Sequence, residues 1–66
     1  MINKIIEVMS RSDKSWEDAA HQAIAEVTKT VNNVRSIYVQ DFSAKVQDNK
    51  ITEYRVTAKV TFEVRG

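Results

Sequence analysis

The sequence has no cysteine and no proline, and its one glycine is Gly66. Without cysteine the chain has neither disulfide bridges nor thiolate-bound metals, and it fits a reducing compartment. Without proline or internal glycine we find no linker, low-complexity segment or repeat that would divide the chain. At 66 residues we expect a single domain spanning 1–66 that is almost entirely regular structure.

A chain of this length also has limited means of stabilising itself. A domain this small buries only about 60% of the surface that its unfolded chain exposes. Small domains therefore usually rely on disulfides, a metal or partner subunits. Because disulfides are excluded, we expect self-association into a homo-oligomer.

The charges favour neither nucleic acid nor membrane as a partner. Ten basic and nine acidic residues give a net charge of +1, and the two signs are interspersed. The opening residues 1–7 are too short and too charged for a signal-peptide core, and no segment approaches a membrane span. We expect a cytoplasmic protein.

The first half of the chain predicts a strand followed by a helix. Residues 2–10 form an apolar run whose inner face is left open, because apolar side chains fall on both faces. A helix is predicted to begin at Trp16, after the N-cap residue Ser15 with Asp18 three positions on, and to end at Asn32–Asn33. Its predicted apolar stripe has spacings of three and four residues: Trp16, Ala20, Ala23, Ile24, Val27 and Val31.

The second strand is predicted over residues 34–48 with an irregularity in its middle. Ile37 and Val39 share one face, whereas Phe42 belongs to the other. Because the side-chain period of a strand is two, the change of phase requires an extra residue. We therefore predict a β-bulge near Gln40–Asp41.

The third strand has the clearest pattern. Residues 48–50 have the chemistry of a hairpin turn, and residues 51–65 then alternate between apolar and polar side chains. The right-handed crossover rule makes the first two strands parallel and places the third between them, antiparallel to both. The predicted class is α+β, with β-α-β-β order and a curved three-stranded sheet wrapped on one helix.

Four segments of the chain share the pattern of one known family: residues 4–8, 15–20, 29–34 and 50–56. Through these segments the chain resembles the dodecins over essentially its whole length. The resemblance implies the same β-α-β-β subunit, twelve copies in a hollow sphere, and no catalytic activity. It also implies riboflavin or FMN as ligand, stacked in pairs between tryptophans of two subunits, with a glutamine bonded to the ring edge.

Three positions depart from the flavin-binding pattern. Ser36 occupies the position of the stacking tryptophan and offers no aromatic face. Arg55 occupies the glutamine position and has only donors, and Glu63 stands where some members have an arginine near bound phosphate. The chain is more similar to members that lack the tryptophan, some of which are described as calcium-binding dodecins.

Ser36, Tyr38 and Arg55 are the candidate ligand-binding residues. Ser36 and Tyr38 share a face opposite to the apolar one, and Arg55 lies on the non-core face of the third strand. They are candidates to line one pocket, in which Tyr38 replaces the missing aromatic platform. The alternative is an inter-subunit contact, because tyrosine and arginine are enriched at interfaces.

No metal site can be assigned from the sequence. Trp16 lies on the helical stripe and is interpreted as structural, and His21 has no second histidine or cysteine near it. Calcium needs about six to eight oxygen ligands, and no EF-hand spacing exists, so an ion site would lie between subunits. The candidate oxygen ligands are Glu17, Asp18, Asp41, Asp48 and Glu53.

The sequence therefore predicts a non-enzymatic, dodecin-like subunit of a hollow homododecameric assembly that binds or stores a small ligand. The alternative is a flavin-free, calcium-dodecin-like assembly in which the ion is structural. We find no nucleophile–base pair, glycine-rich phosphate loop or paired catalytic carboxylates. A nucleic-acid-binding module is disfavoured because the basic residues are matched by interleaved acids.

Overall fold

The structure is a computed structural model that describes residues 2–64. Its elements are β1 (Ile2–Ser12), α1 (Trp16–Val27), β2 (Val34–Gln47) and β3 (Lys50–Val64). β3 lies in the centre of the sheet and pairs antiparallel with both β1 and β2. The predicted class, element order and strand order are confirmed, and Arg65, predicted at the end of the third strand, lies outside the described residues.

β1 is two residues longer than predicted, and its two faces are now distinguished. The strand continues to Ser12, which pairs with Tyr54 of β3. Ile6 and Val8 are half-buried on the inner face, the face of the sheet that packs on α1. Ile5 and the other odd-numbered residues of β1 are exposed on the opposite side of the sheet, which we call the outer face.

The core lies between the centre of β3 and one row of the helix. The helical residues at the contact are spaced four apart, and two of them are alanines, which let the helix approach the sheet closely. Ala19 is fully buried and Ala20 is only half-buried, so the predicted stripe was wrong at this position. The buried apolar residues are Ala19, Ala23, Val27, Val56, Ala58 and Val60.

The helix ends at Val27, with Thr28 as C-cap, and the predicted end at Asn32–Asn33 was wrong. Val27 and Thr28 are β-branched and restrict helical rotamers, and Thr28 Oγ1 donates to Ala25 O instead of leaving that carbonyl to the helical ladder. The next residues form a turn, and Asn33 has the left-handed φ of 61° that was expected of an asparagine here. No helix in the described part of the chain has the length and apolarity needed to cross a membrane.

β2 contains the predicted bulge, and the hairpin turn has the predicted chemistry. The register with β3 shifts between Val39 and Asp41, which leaves Gln40 as the extra residue. Asp48 and Asn49 both have positive φ, 52° and 64°. Two consecutive positive φ values are typical of the type I′ turn, whose twist matches that of the flanking strands.

The sheet is much longer than its helix. The molecule extends 51 × 19 × 13 Å, whereas a 12-residue helix spans only about 18 Å. Beyond the Ser12–Tyr54 pair, where β1 ends, β2 and β3 continue as a two-stranded hairpin of residues 45–53. We call this hairpin the arm; α1 begins beside its root, and the arm projects past the helix.

Candidate functional site

Two of the three predicted ligand-binding residues lie side by side on the outer face of β2. Ser36 pairs with Thr61 of β3, and Tyr38 pairs with Lys59. Both side chains are exposed, and Tyr38 is 66% exposed. The phenol ring therefore stands on the outer face as an open aromatic surface within the single chain.

Arg55 shares this face but is not near Tyr38 in one chain. It pairs with Ser43 on one side and with Arg11 on the other. Four positions along β3 separate it from Lys59, the partner of Tyr38, which corresponds to about 14 Å. A pocket formed by Ser36, Tyr38 and Arg55 together therefore requires more than one copy of the chain.

Arg55 is held by an acidic neighbour on its own strand. Its Nε donates to Glu53 Oε2 at 2.6 Å, and an Arg11 guanidinium nitrogen lies 3.7 Å from Glu53 Oε1. The hydrogen bond from Arg55, helped by the charges of Arg55, Arg11 and Lys45, holds the pKa of Glu53 below its usual value although partial burial opposes this. Arg11 was not predicted to belong to this group, because the register of β1 with β3 does not follow from the sequence.

The residues at the flavin-contacting positions do not fit a tryptophan-type flavin sandwich. Ser36 has no ring to stack, and the Arg55 Nε–H is already donated to Glu53. Glu63 is paired with Arg35, whose Nε lies 2.9 Å from its carboxylate. Of the side chains of Ser36, Tyr38, Arg55 and Glu63, only that of Tyr38 is aromatic. Any stacking at this surface therefore depends on Tyr38.

Trp16 belongs to a structural cluster on the inner face, as interpreted from the sequence. Its ring is edge-on to Tyr54 at 4.9 Å and to Phe42 at 6.2 Å. The indole Nε1 donates to Ser43 O at 2.9 Å. Trp16 thus fixes the start of α1 against β2 just past the bulge, and its partners were not apparent from the sequence.

A second polar group joins the end of β1 to the start of α1. Ser15 Oγ accepts from the Asp18 backbone N–H, which confirms the predicted N-cap. The Asp18 carboxylate accepts from Ser12 Oγ and Gln22 Nε2. These two bonds, Ser12 first, hold the pKa of Asp18 below its usual value against partial desolvation.

The candidate metal ligands are dispersed within one chain. Among residues 2–64 no three of the His, Cys, Asp and Glu side chains are grouped as a metal ion would require. His21 is exposed and lies 3.8 Å from Glu17 Oε1 one turn earlier. Asp18 is at the helix start, Asp48 is in the hairpin turn, and a site that uses them needs ligands from another copy.

Comparison with known proteins identifies the family. The Dodecin family model matches residues 2–65. The calcium dodecin of Mycobacterium tuberculosis H37Rv is 28% identical over 64 residues, covering 97% of this chain and 90% of that protein. The crystal structure of the calcium-chelating calcium dodecin from Mycobacterium tuberculosis is 30% identical with a TM-score of 0.84 and covers 98% of this chain and 93% of its own.

More distant structures agree in fold. A variant of the Thermus thermophilus dodecin is 23% identical with a TM-score of 0.93, covering 98% of this chain and 97% of its own. The dodecin from Streptomyces davaonensis is 20% identical with a TM-score of 0.92, covering 98% of this chain and 96% of its own. Since the family model spans nearly the whole chain and the β-α-β-β architecture is the same, this chain belongs to the dodecin family.

Proposed function

We propose that the chain is a non-enzymatic subunit of a hollow homododecamer that binds or stores a small ligand. The observation that carries the proposal is the arm, which projects past the helix with apolar side chains on its inner face. Val46 and Ile51 pair across the arm, where a register shift after Lys45 leaves Thr52 as an extra residue and brings Ile51 to the same face as Val46. Val46 is 59% exposed and Ile51 is 48% exposed. An isolated two-stranded hairpin is at best marginally stable in water, so the arm needs a partner surface.

A second copy of the chain is the partner that fits this surface. At the root of the arm Phe42 is also exposed although it packs edge-on against Trp16. The apolar inner face is therefore continuous from Phe42 to Ile51 and open on one side. Burial of each such side chain stabilises the assembly by about 1.5–3 kcal/mol. In a closed symmetric assembly every copy makes the same contact and is stabilised equally.

The ligand surface of the assembly is the outer face around Ser36 and Tyr38, with Arg55 supplied by another copy. Tyr38 offers the aromatic platform and Ser36 leaves space beside it where the family resemblance implies a tryptophan. A planar, partly aromatic molecule suits this surface, and riboflavin or FMN is the ligand that the resemblance supplies. The weakened stacking predicts lower flavin affinity than a tryptophan pair gives.

A second candidate is a calcium-dodecin-like assembly with a structural ion. The observation that favours it is the similarity to the calcium dodecin of Mycobacterium tuberculosis. Because the acidic side chains of one chain are dispersed, calcium would be held between copies, and binding would depend on assembly.

Solution mass tests the assembly. We expect a mass of about twelve subunits for the wild type by light scattering, and dissociation of Val46→Lys, which places a charge on the apolar side of the arm. Gln47→Lys is the matched control, since it adds the same charge next along the strand on a non-apolar position, and it should keep the wild-type mass. A monomeric wild type, or equal behaviour of the two variants, would contradict the proposal.

Titrations of the assembled protein separate the two ligands. Flavin binding is supported if the protein quenches riboflavin and FMN fluorescence, if Tyr38→Ala loses this quenching, and if the control variant Tyr38→Phe keeps it. An absence of quenching, together with a lower melting temperature after calcium chelation, supports the hypothesis of a structural calcium ion. If neither flavin nor calcium binds, both ligand assignments are wrong although the assembly stands.

A further inference from the structure

We propose that Arg11, Lys45 and Arg55 form a binding site for the phosphate groups of a small molecule on the outer face. The three cations lie within one copy of the chain. This site therefore does not require the proposed assembly, and Arg55 is the one residue that it shares with the proposed ligand surface.

The strand register brings the three cations together around one acid. Arg11, Arg55 and Ser43 stand side by side in one row across β1, β3 and β2. In the next row Glu53 pairs with Lys45. The two rows belong to the same face, because positions two apart on a strand point the same way.

The row of two arginines is costly unless an anion offsets it. Like charges directly opposite each other on neighbouring strands are destabilising. Glu53 offsets part of this repulsion, with Arg55 Nε at 2.6 Å and Arg11 at 3.7 Å. One carboxylate thus lies among three cations and is paired with the two arginines, which leaves an excess of positive charge at this point of the sheet.

The next acid on the face does not remove this excess. Asp41 stands one row away, opposite Thr57. None of the ion pairs between residues 2 and 64 involves Asp41. The hydrogen bond from Arg55, together with the charges of Arg55, Arg11 and Lys45, also lowers the pKa of Glu53.

Phosphate is the anion that suits these groups best. A guanidinium presents a planar fork of N–H donors that matches two oxygens of a phosphate, and lysine adds a point charge. The side chains of Arg11 and Arg55 are 71% and 41% exposed, so both retain donors that face solvent. Ser43, also exposed and next in the row, adds a hydroxyl within the same group.

Pyrophosphate is the probe, and the single tryptophan provides a reporter. Trp16 Nε1 donates to the backbone carbonyl of Ser43, and the Trp16 ring packs on Tyr54, the neighbour of Arg55. We expect pyrophosphate to change Trp16 fluorescence and to bind in calorimetry at low salt. Arg11→Gln and Arg55→Gln should each weaken binding about tenfold or more, since charge-assisted hydrogen bonds are lost.

Two further variants sharpen the test. Glu53→Gln removes the competing carboxylate and should tighten pyrophosphate binding several-fold. Lys59→Gln is the matched control, because it removes the same charge from the same face of β3 about 14 Å away, and it should change the affinity less than about twofold. Arg11→Lys keeps the charge without the fork and should bind between wild type and Arg11→Gln.

Circular dichroism and solution mass are to be measured for each variant, and we expect each to be folded and assembled like the wild type. Absence of pyrophosphate binding to the wild type would overturn the proposal. So would a loss in Lys59→Gln equal to that in Arg55→Gln, because binding would then follow net charge alone. As solution mass is measured on the same samples, failure of this site is distinguishable from failure of the assembly.

Discussion

Val60 is the residue whose truncation should test the packing most directly. It is 0% exposed, lies in the central strand, and stands between Ile6 of β1 and Ile37 of β2. Val60→Ala removes two buried methyl groups, worth about 0.8 kcal/mol each. An unrelaxed cavity of about 50 Å³ adds about 1.2 kcal/mol, so we expect the free energy of unfolding to fall by about 2–3 kcal/mol.

This loss is large for a chain of this length. The total stability of a domain this small is about 3–10 kcal/mol, and the expected drop in melting temperature is about 10–20 °C. The assay is guanidinium unfolding followed by circular dichroism and by Trp16 fluorescence. It is measured at several protein concentrations, because assembly makes stability depend on concentration.

Val46→Ala is the matched control, since it makes the same substitution at an exposed position of the arm. In a single chain its effect should stay within about 0.5 kcal/mol. In the proposed assembly the loss should be larger and should grow as dilution dissociates the subunits. If Val60→Ala lowers the free energy of unfolding no more than Val46→Ala does in a dissociated sample, the inner face around Val60 is not the core.

Three further perturbations have defined outcomes. The lowered pKa of Asp18 means that its bonds, the one from Ser12 first, stabilise the fold above the usual aspartate pKa of about 4. This stabilisation is lost as pH falls through the lower pKa of the folded state. The stability of Asp18→Asn should therefore depend less on pH in the acid range than that of the wild type. An unchanged pH dependence in the acid range would show that the Asp18 bonds do not stabilise the fold. Asn49→Val should destabilise by about 1–2 kcal/mol because Asn49 has positive φ, whereas Asn49→Gly should be neutral or stabilising in the same denaturant titration. Trp16→Phe removes the indole bond to Ser43 and should cost about 1–2 kcal/mol, and a cost below that of an exposed substitution would show that the bond contributes nothing.

Local chemistry and strict periodicity made most of the fold predictable. The phase change between Val39 and Phe42 can be satisfied only by an extra residue, and the structure has it at Gln40. The end of the helix was missed because the apolar spacing continues to Val31 although the β-branched residues from Val27 onward weaken the helix. The spacing of apolar residues shows which face of a helix is apolar, but it does not show where the backbone preferences of the residues end the helix.

The groups on the outer face were less predictable for a different reason. Ser36 and Tyr38 are two residues apart, so their common face follows from the strand alone. The grouping of Arg11, Lys45 and Arg55 depends on the register of two strand pairs, which a single sequence does not specify. The Ser12–Asp18 bond was missed because β1 was expected to end at Ser10, whereas it continues to Ser12.

The position of β3 in the sheet determines when the fold can form. The central strand is the last of the three in chain order, and β1 and β2 have no hydrogen-bonded contact with each other. During synthesis on the ribosome neither earlier strand can pair until β3 has emerged, and the β1–β3 pairing joins residues as distant as Ile2 and Val64. Such high contact order slows folding. The nascent chain therefore passes through a period with its apolar strands unpaired, in which chaperones that bind extended apolar segments can act.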